Sequence, residues 1–320
     1  MSEQVPPPSV WDGHTLLEYV ETLMLVEGIN HLSIAELTSR FPSGRKPQET
    51  ETANIRSGVL ARADALGDLY PYRADDEGVA RQTVGDTRVY DYLLLLSLEH
   101  APYRRARDFT RTNKIFDLLV REAVKHFLGS NSEAVRFGTP VQDGRPKDFI
   151  RAVTWLAEQM GVADGQKDRP ADANDAGVDV VAWLHFADRR SGFPVVLAQC
   201  TLELDYVYKS MQIPVLQWQR WIGIGPHPQT TLAVPFTVAT GDDRWMLVTG
   251  NTAWLFERIR ICEHLVGVDL TSFPEWAEMS AFIAFESARV LEADEHDPKR
   301  PQPPKRRKQK ISEHRDPLRR

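Results

Sequence analysis

Cysteine is scarce. Only Cys200 and Cys262 occur in 320 residues, which excludes a disulfide framework and any Cys-rich zinc module. The nine His are scattered, with no pair at metal-ligand spacing. Long apolar runs are missing too: Tyr92 to Leu96 is among the longest, far short of the ~20 residues that span a bilayer, so no membrane partner is expected. The opening Met1-Ser-Glu-Gln-Val-Pro-Pro-Pro lacks the basic and apolar regions of a signal peptide, and a cytoplasmic location is the simplest expectation. There is no Gly-rich phosphate loop, no Gly-x-Ser-x-Gly elbow and no Cys–His pairing, which leaves small-molecule enzyme chemistry without support.

What is present is an ordinary globular composition, 42% hydrophobic and 26% charged, in a chain whose length suggests about two domains. The formal charge of −6 conceals an asymmetry. Residues 299–320 hold ten Lys or Arg against Glu313 and Asp316, a charge of +8, so the other 298 residues carry −14. An acidic body with a basic, Pro-rich tail is not a general nucleic-acid coat. Any contact with phosphates is expected to be local and helped by the tail, whose composition also suits a solvated, disordered terminus.

Residues 1–10 read as disordered, and 11–108 as a mainly helical module. Leu16, Leu17, Val20, Leu23 and Met24 make an apolar face at helical spacing that Gly28 ends. Ser33-Ile-Ala-Glu36 is a capping-box pattern opening a second short helix, a third runs from about Glu51 to Leu66, and Tyr70 to Gly78 reads as strand and turn. This order fits either a winged-helix-like module or a plain helical docking module. A helix at Val89 to Glu99 and a basic loop with Arg104, Arg105, Arg107 and Arg111 follow. From 109 to 292, helices at Asn113–Leu128 and Pro146–Met160, strands at 232–238 and 245–249, and helices at 255–265 and 274–291 argue for an α/β layer arrangement. Trp218 and Trp221, three residues apart, read first as one helix's packing face. Residues 293–320 form the tail.

The most informative stretch is Asp175 to Thr201. Val178–Trp183 and Phe193–Thr201 are β-branched runs joined by a charged, Gly-containing turn, the pattern of a β-hairpin. Each run carries one polar residue where a core strand would place another Val: Asp179 on the first and Gln199 on the second. A carboxylate buried in such a strand is costly unless paired, hydrogen-bonded or metal-bound. Asp175 suits a turn cap. On the preceding helix, Phe116-Asp117 sets an acid at the edge of an apolar stripe, where attraction to a helix N-terminus offers a plain alternative.

Phe116-Asp117, Gly177-Val-Asp179-Val-Val-Ala182 and Ala198-Gln199-Cys200-Thr201 together resemble the PD-(D/E)XK restriction-endonuclease-like superfamily, nearest its Mrr-type branch, over about residues 112–266. The resemblance implies a restriction-endonuclease-like core, a central mixed sheet flanked by helices, and a metal-dependent DNA endonuclease of prokaryotic restriction or anti-phage defence. It implies that Asp179, Gln199 and Asp117 hold Mg2+ or Mn2+, hard cations that favour oxygen ligands. DNA would be the partner, with a protein subunit or a second copy restraining the enzyme. The family's lysine, however, is Thr201 here, and a hydroxyl cannot supply its positive charge. Lys209, eight residues on, lies about two helical turns further along if the chain coils there, and is the candidate replacement. The alternative is a degenerate nuclease fold serving as a DNA-binding or assembly subunit.

Overall fold

The computed structural model describes residues 13–41, 46–82, 85–98, 106–141, 143–165, 168–171, 173–203, 205–239, 241–251 and 253–292. The termini expected to be disordered, the basic tail among them, and Arg104 and Arg105 lie outside the described residues, as do the side chains of 106–113.

The chain starts with α1 (Gly13–Val26), ended by Gly28 in the left-handed region at φ +66°. Strand β1 (His31–Ser33) leads into α2 (Ile34–Ser39) through the expected capping box: Ser33 Oγ accepts from Glu36 N at 3.1 Å, and Glu36 Oε2 accepts from Ser33 N at 2.9 Å. Then come α3 (Glu49–Leu66), a 3-10 turn, β2 (Tyr72–Ala74) and β3 (Gly78–Arg81). The three strands form an antiparallel sheet in the order β1-β3-β2. Helix α4 (Arg88–Leu96), apolar almost all round, is buried along most of its length, as a helix without a polar stripe must be.

The second part comprises α5 (Ala106–Leu128), β4 (Ser132–Arg136), α6 (Phe149–Gln159), β5 (Val180–Leu184), β6 (Val195–Cys200), a 3-10 turn at Val207–Met211, α7 (Val215–Trp221), β7 (Gln229–Ala233), α8 (Asp243–Gly250), β8 (Ala253–Phe256), α9 (Arg258–Glu263) and α10 (Glu275–Glu292). Its five strands make one mixed sheet in the order β4-β5-β6-β7-β8, with antiparallel pairing from β4 to β6 and parallel pairing from β6 to β8. Side-chain alternation sends Val180, Ala182, Val196 and Ala198 to one face, against Ile115, Phe116, Leu119 and Val120 of α5. It sends Val181, Trp183, Val195 and Leu197 to the other, against α6 and against Trp218 and Trp221 of α7. A sheet covered on both faces explains why these strands read as unbroken apolar runs. This mixed α/β arrangement is the layering expected of the second part, and is compatible with a restriction-endonuclease-like core.

Several local expectations are corrected: Arg107 and Arg111 lie in α5 rather than in a loop, and the strand expected at 232–238 is β7, Gln229–Ala233. Residues 245–249 are helical, not a strand: they lie in α8, whose N-cap Asp242 accepts from Arg244 N at 2.8 Å. The helix expected from Leu255 begins as strand β8 and turns helical only at Arg258. Asp117 is eleven residues into α5, so attraction to that helix's N-terminus does not account for it. Strand β4, Ser-Glu-Ala-Val-Arg, was not legible as a strand; short runs of this kind are ambiguous until a partner pairs with them.

The core of the first part continues into the second: α1, α3 and α4 share buried apolar packing with Ile261, Cys262, Leu265 and Met279. At this junction lies a buried charge network. Arg62 pairs with Glu18 and Glu21, both at 2.7 Å, and Arg258, wholly buried, pairs with Glu18 at 2.9 Å. Tyr70 and Tyr90 donate to Glu21 at 2.6 and 2.7 Å, and Arg258 Nε donates to the Pro235 carbonyl at 3.0 Å. Among the described residues no helix is long and apolar enough to cross a membrane.

Candidate active site

The hairpin expected from the sequence forms, and it brings the two strand-borne polar residues together. Asp179 stands one residue ahead of β5; its N–H donates to the Ala198 carbonyl at 2.8 Å, which sets it across from the end of β6, where Gln199 and Cys200 lie. Asp179 Oδ2 accepts from Cys200 N at 2.8 Å. Ahead of it, Asp175 caps the turn as expected: Oδ1 accepts from Gly177 N at 3.0 Å and Oδ2 from Thr139 Oγ1 at 3.2 Å, with Gly177 in the left-handed region at φ +78°. On the other flank Gly138 approaches so closely that a Cβ there would lie 2.5 Å from Asp179 Oδ1. The carboxylate is thus gripped from two sides.

From α5, packed on one face of the sheet, buried Asp117 reaches the same corner and accepts from the Cys200 thiol. Burial pushes the Asp117 carboxyl well above the usual carboxylate range and the nearby Asp179 charge pushes it further, while the Cys200 contact and Arg136 pull it partway back. Asp179 is pushed up to about 7, mainly by burial and also by Asp175, against the stabilising Cys200 N–H and the charge of Lys209. Cys200 is raised by burial and by both carboxylates. Two buried acids, both raised by burial and one raised further by the other, form a site that gains from a positive charge.

Gln199, 7% exposed, donates from Nε2 to Gln212 Oε1 at 3.2 Å, while its own Oε1 is buried with no hydrogen-bond partner. A buried carbonyl oxygen without a hydrogen-bond partner is costly. Lys209, on the 3-10 turn after β6, is half-buried, pairs with Glu203 at 3.3 Å, and is near enough for its charge to lower the Asp179 pKa. Thr201 is buried; its N–H donates to Ala233 O at 3.0 Å and its hydroxyl accepts from Glu203 N at 3.2 Å. The structure therefore brings Asp117 and Asp179 together, sets Gln199 at the adjoining strand end and Lys209 within electrostatic reach, and ties Thr201 into the local backbone.

Arg136, at the end of β4, went unseen in the sequence. It is held by Asp143 at 2.7 Å and Glu275 at 3.1 Å while its charge acts on Asp117. Nothing local marks it, since β4 itself shows no strong strand signal. Trp218 and Trp221 are buried against Phe149 with ring centroids at 5.9 and 5.5 Å, so they pack the core as expected of a helix face.

Among the described residues no group of three or more His, Cys, Asp or Glu gathers closely enough to hold a metal unaided. The two carboxylates at this corner are hard oxygen donors of the kind Mg2+ and Mn2+ accept beside several waters, whereas Gln199, between Ala198 and Cys200 that face α5, turns its side chain to the other face, toward Gln212.

No family model matches the chain, and no curated protein matches it in sequence. Among solved structures it is similar to the MspJI restriction endonuclease in complex with a 27-mer oligonucleotide, at 11% identity and a TM-score of 0.33. The match covers 80% of this chain and 52% of that one, so the chain spans about half of that protein's length. A likeness of this degree shows neither activity nor substrate.

Proposed function

We propose that this protein is a metal-dependent phosphodiesterase that cuts DNA, a nuclease or nuclease subunit of a cytoplasmic restriction or anti-phage system. The observation that carries this reading is the meeting at one end of the mixed sheet of two buried carboxylates, Asp117 and Asp179, both bonded to Cys200. Asp179 and Asp117 would hold Mg2+ or Mn2+, which supplies Lewis-acid stabilisation of the phosphate and lowers the pKa of an attacking water. In the chain's own part of the work, the Cys200 N–H and Gly138 fix the Asp179 carboxylate in place. Lys209 takes the place of the motif lysine: its ammonium steadies negative charge on phosphate oxygens as the water oxygen bonds to phosphorus and the sugar oxygen leaves. The Glu203 pairing holds Lys209 on this side of the turn.

One observation favours a second reading, a catalytically degenerate subunit that binds DNA or assembles others: the Thr201 hydroxyl is occupied by Glu203 N and brings no charge to the motif position. Cleavage of plasmid and linear DNA with Mg2+, Mn2+ or EDTA, beside Asp179→Ala and Lys209→Ala, separates the two. The nuclease reading expects metal-dependent cutting lost in both variants. Mn2+ binding and DNA binding without cutting would instead favour the degenerate subunit.

A further inference from the structure

The order α1-β1-α2-α3-β2-β3, with β3 paired between β1 and β2, is that of a winged helix, in which α3 faces the partner and the β2–β3 turn forms a flanking wing. Winged helices that bind duplex DNA present cations at both places, because neutralising phosphates supplies most of the affinity. Here the charge is reversed. Residues 13–98 carry thirteen Asp or Glu against eight Lys or Arg, a net −5. The wing turn is Asp75-Asp76-Glu77, and α3 opens with Glu49 and Glu51. Of its two arginines, Arg62 is buried in the junction network and Arg56 is already paired with Asp76 at 3.3 Å. A phosphate backbone laid on this face would be repelled.

Between α3 and the wing runs a groove of about 210 Å³, with Ile34, Ile55 and Val79 lining its more buried part and Glu49, Asp75 and Asp76 at its exposed edge. An apolar groove edged by carboxylates suits a peptide that sets an aliphatic side chain among basic ones. The chain supplies such a peptide: Lys305-Arg-Arg-Lys-Gln-Lys-Ile311, within the 299–320 segment of charge +8. Nineteen residues, 293 to 311, lead from the end of α10 to Ile311 and span about 60 Å when extended. We propose that the winged-helix unit is not a DNA reader but the dock for the chain's own basic tail, with Ile311 in the groove and the surrounding Lys and Arg against Glu49, Asp76 and Glu77. This stands apart from the phosphodiesterase reading and survives its failure.

The test uses the full-length protein under brief trypsin digestion, following by mass the cuts after Lys305 to Lys310 and leaving aside the cut after Lys299 in the linker. Docking predicts that at low ionic strength these cuts are about tenfold slower in the wild type than in the triple variant Glu49→Gln, Asp76→Gln, Glu77→Gln, the factor three exposed ion contacts give together. At high salt the two rates converge. These three side chains are exposed, and Asp75, which holds the wing turn by accepting from Gly78 N at 2.8 Å, is left intact. Equal rates at low salt overturn the proposal. So does protection that grows with protein concentration, which would seat the tail on a second copy. Carbodiimide cross-linking of the wild type gives a readout free of any folding defect in the variant. Links from Lys305, Lys308 or Lys310 to Glu49, Asp76 or Glu77 are expected; links confined to other acids overturn it.

Discussion

Asp179 shows how a single side chain is committed to one position. The Cys200 N–H holds one oxygen, and the absence of a Cβ at Gly138 makes room for the other. Gly138→Ala must therefore displace the carboxylate, and Mn2+ affinity, followed by the ion's paramagnetic signal, should fall by about 10–100-fold, the range typical of disturbed support around a metal site. Asp117→Asn removes, without changing shape, a buried acid whose charged form burial and Asp179 disfavour. It should weaken Mn2+ binding while raising thermal stability in metal-free buffer, a pairing of effects that a merely structural aspartate would not produce. Lys209→Ala should leave Mn2+ binding nearly intact yet slow cutting by about 100-fold, the cost of losing one charge stabiliser in a transition state. Equal loss of binding and cutting would make Lys209 part of the metal's support instead.

At the scale of elements, the corner depends on the packing behind it. Helix α7 drives Trp218 and Trp221 against Phe149 of α6, and Trp218 Nε1 donates to the Ala176 carbonyl at 3.3 Å, within the loop that delivers Asp179. Trp218→Ala should cost about 3–5 kcal/mol of unfolding free energy by denaturant titration, as large aromatic truncations in cores do. The same loop explains why periodicity found the hairpin but misread α8. The runs at 180–184 and 195–200 pair with each other and are covered on both faces, whereas Trp245-Met-Leu-Val-Thr249 has no strand partner. Its Asp242 cap and the Arg260 guanidinium 4.5 Å from the Trp245 ring centroid favour a helix instead.

For the molecule as a whole, the network of Glu18, Glu21, Arg62 and Arg258 joins α1 and α3 to α9. Although burial opposes ionisation of Glu18, the charges of Arg258, Arg62 and His14 outweigh it and hold its carboxyl far below the ordinary value of 4.5. A group whose pKa is depressed on folding stabilises fully above its unfolded value and loses that stabilisation as the pH falls. Thermal stability should therefore drop as the pH goes below about 4.5, and Glu18→Gln should flatten that drop. Arg258→Met strips Glu18 of a partner in a buried setting and should destabilise by about 3–5 kcal/mol in the same measurement.

From its sequence alone this protein determined most of its helices, though not α8, its hairpin and the residues worth watching. Capping at Ser33, the stop at Gly28, the apolar runs around Asp179 and Gln199, and the missing lysine at Thr201 are local signals, written in a few adjacent side chains. Only the tertiary structure decided what those residues meet. That Asp117 raises the pKa of Cys200, that Gly138 leaves room for Asp179, that Arg136 acts on Asp117 and that Lys209 is felt at Asp179 are relations across 19 to 83 residues of chain. So too the acidic face between α3 and the β2–β3 turn became a surface only when those elements came together. Pairing of this kind arises from packing, which no window of sequence contains.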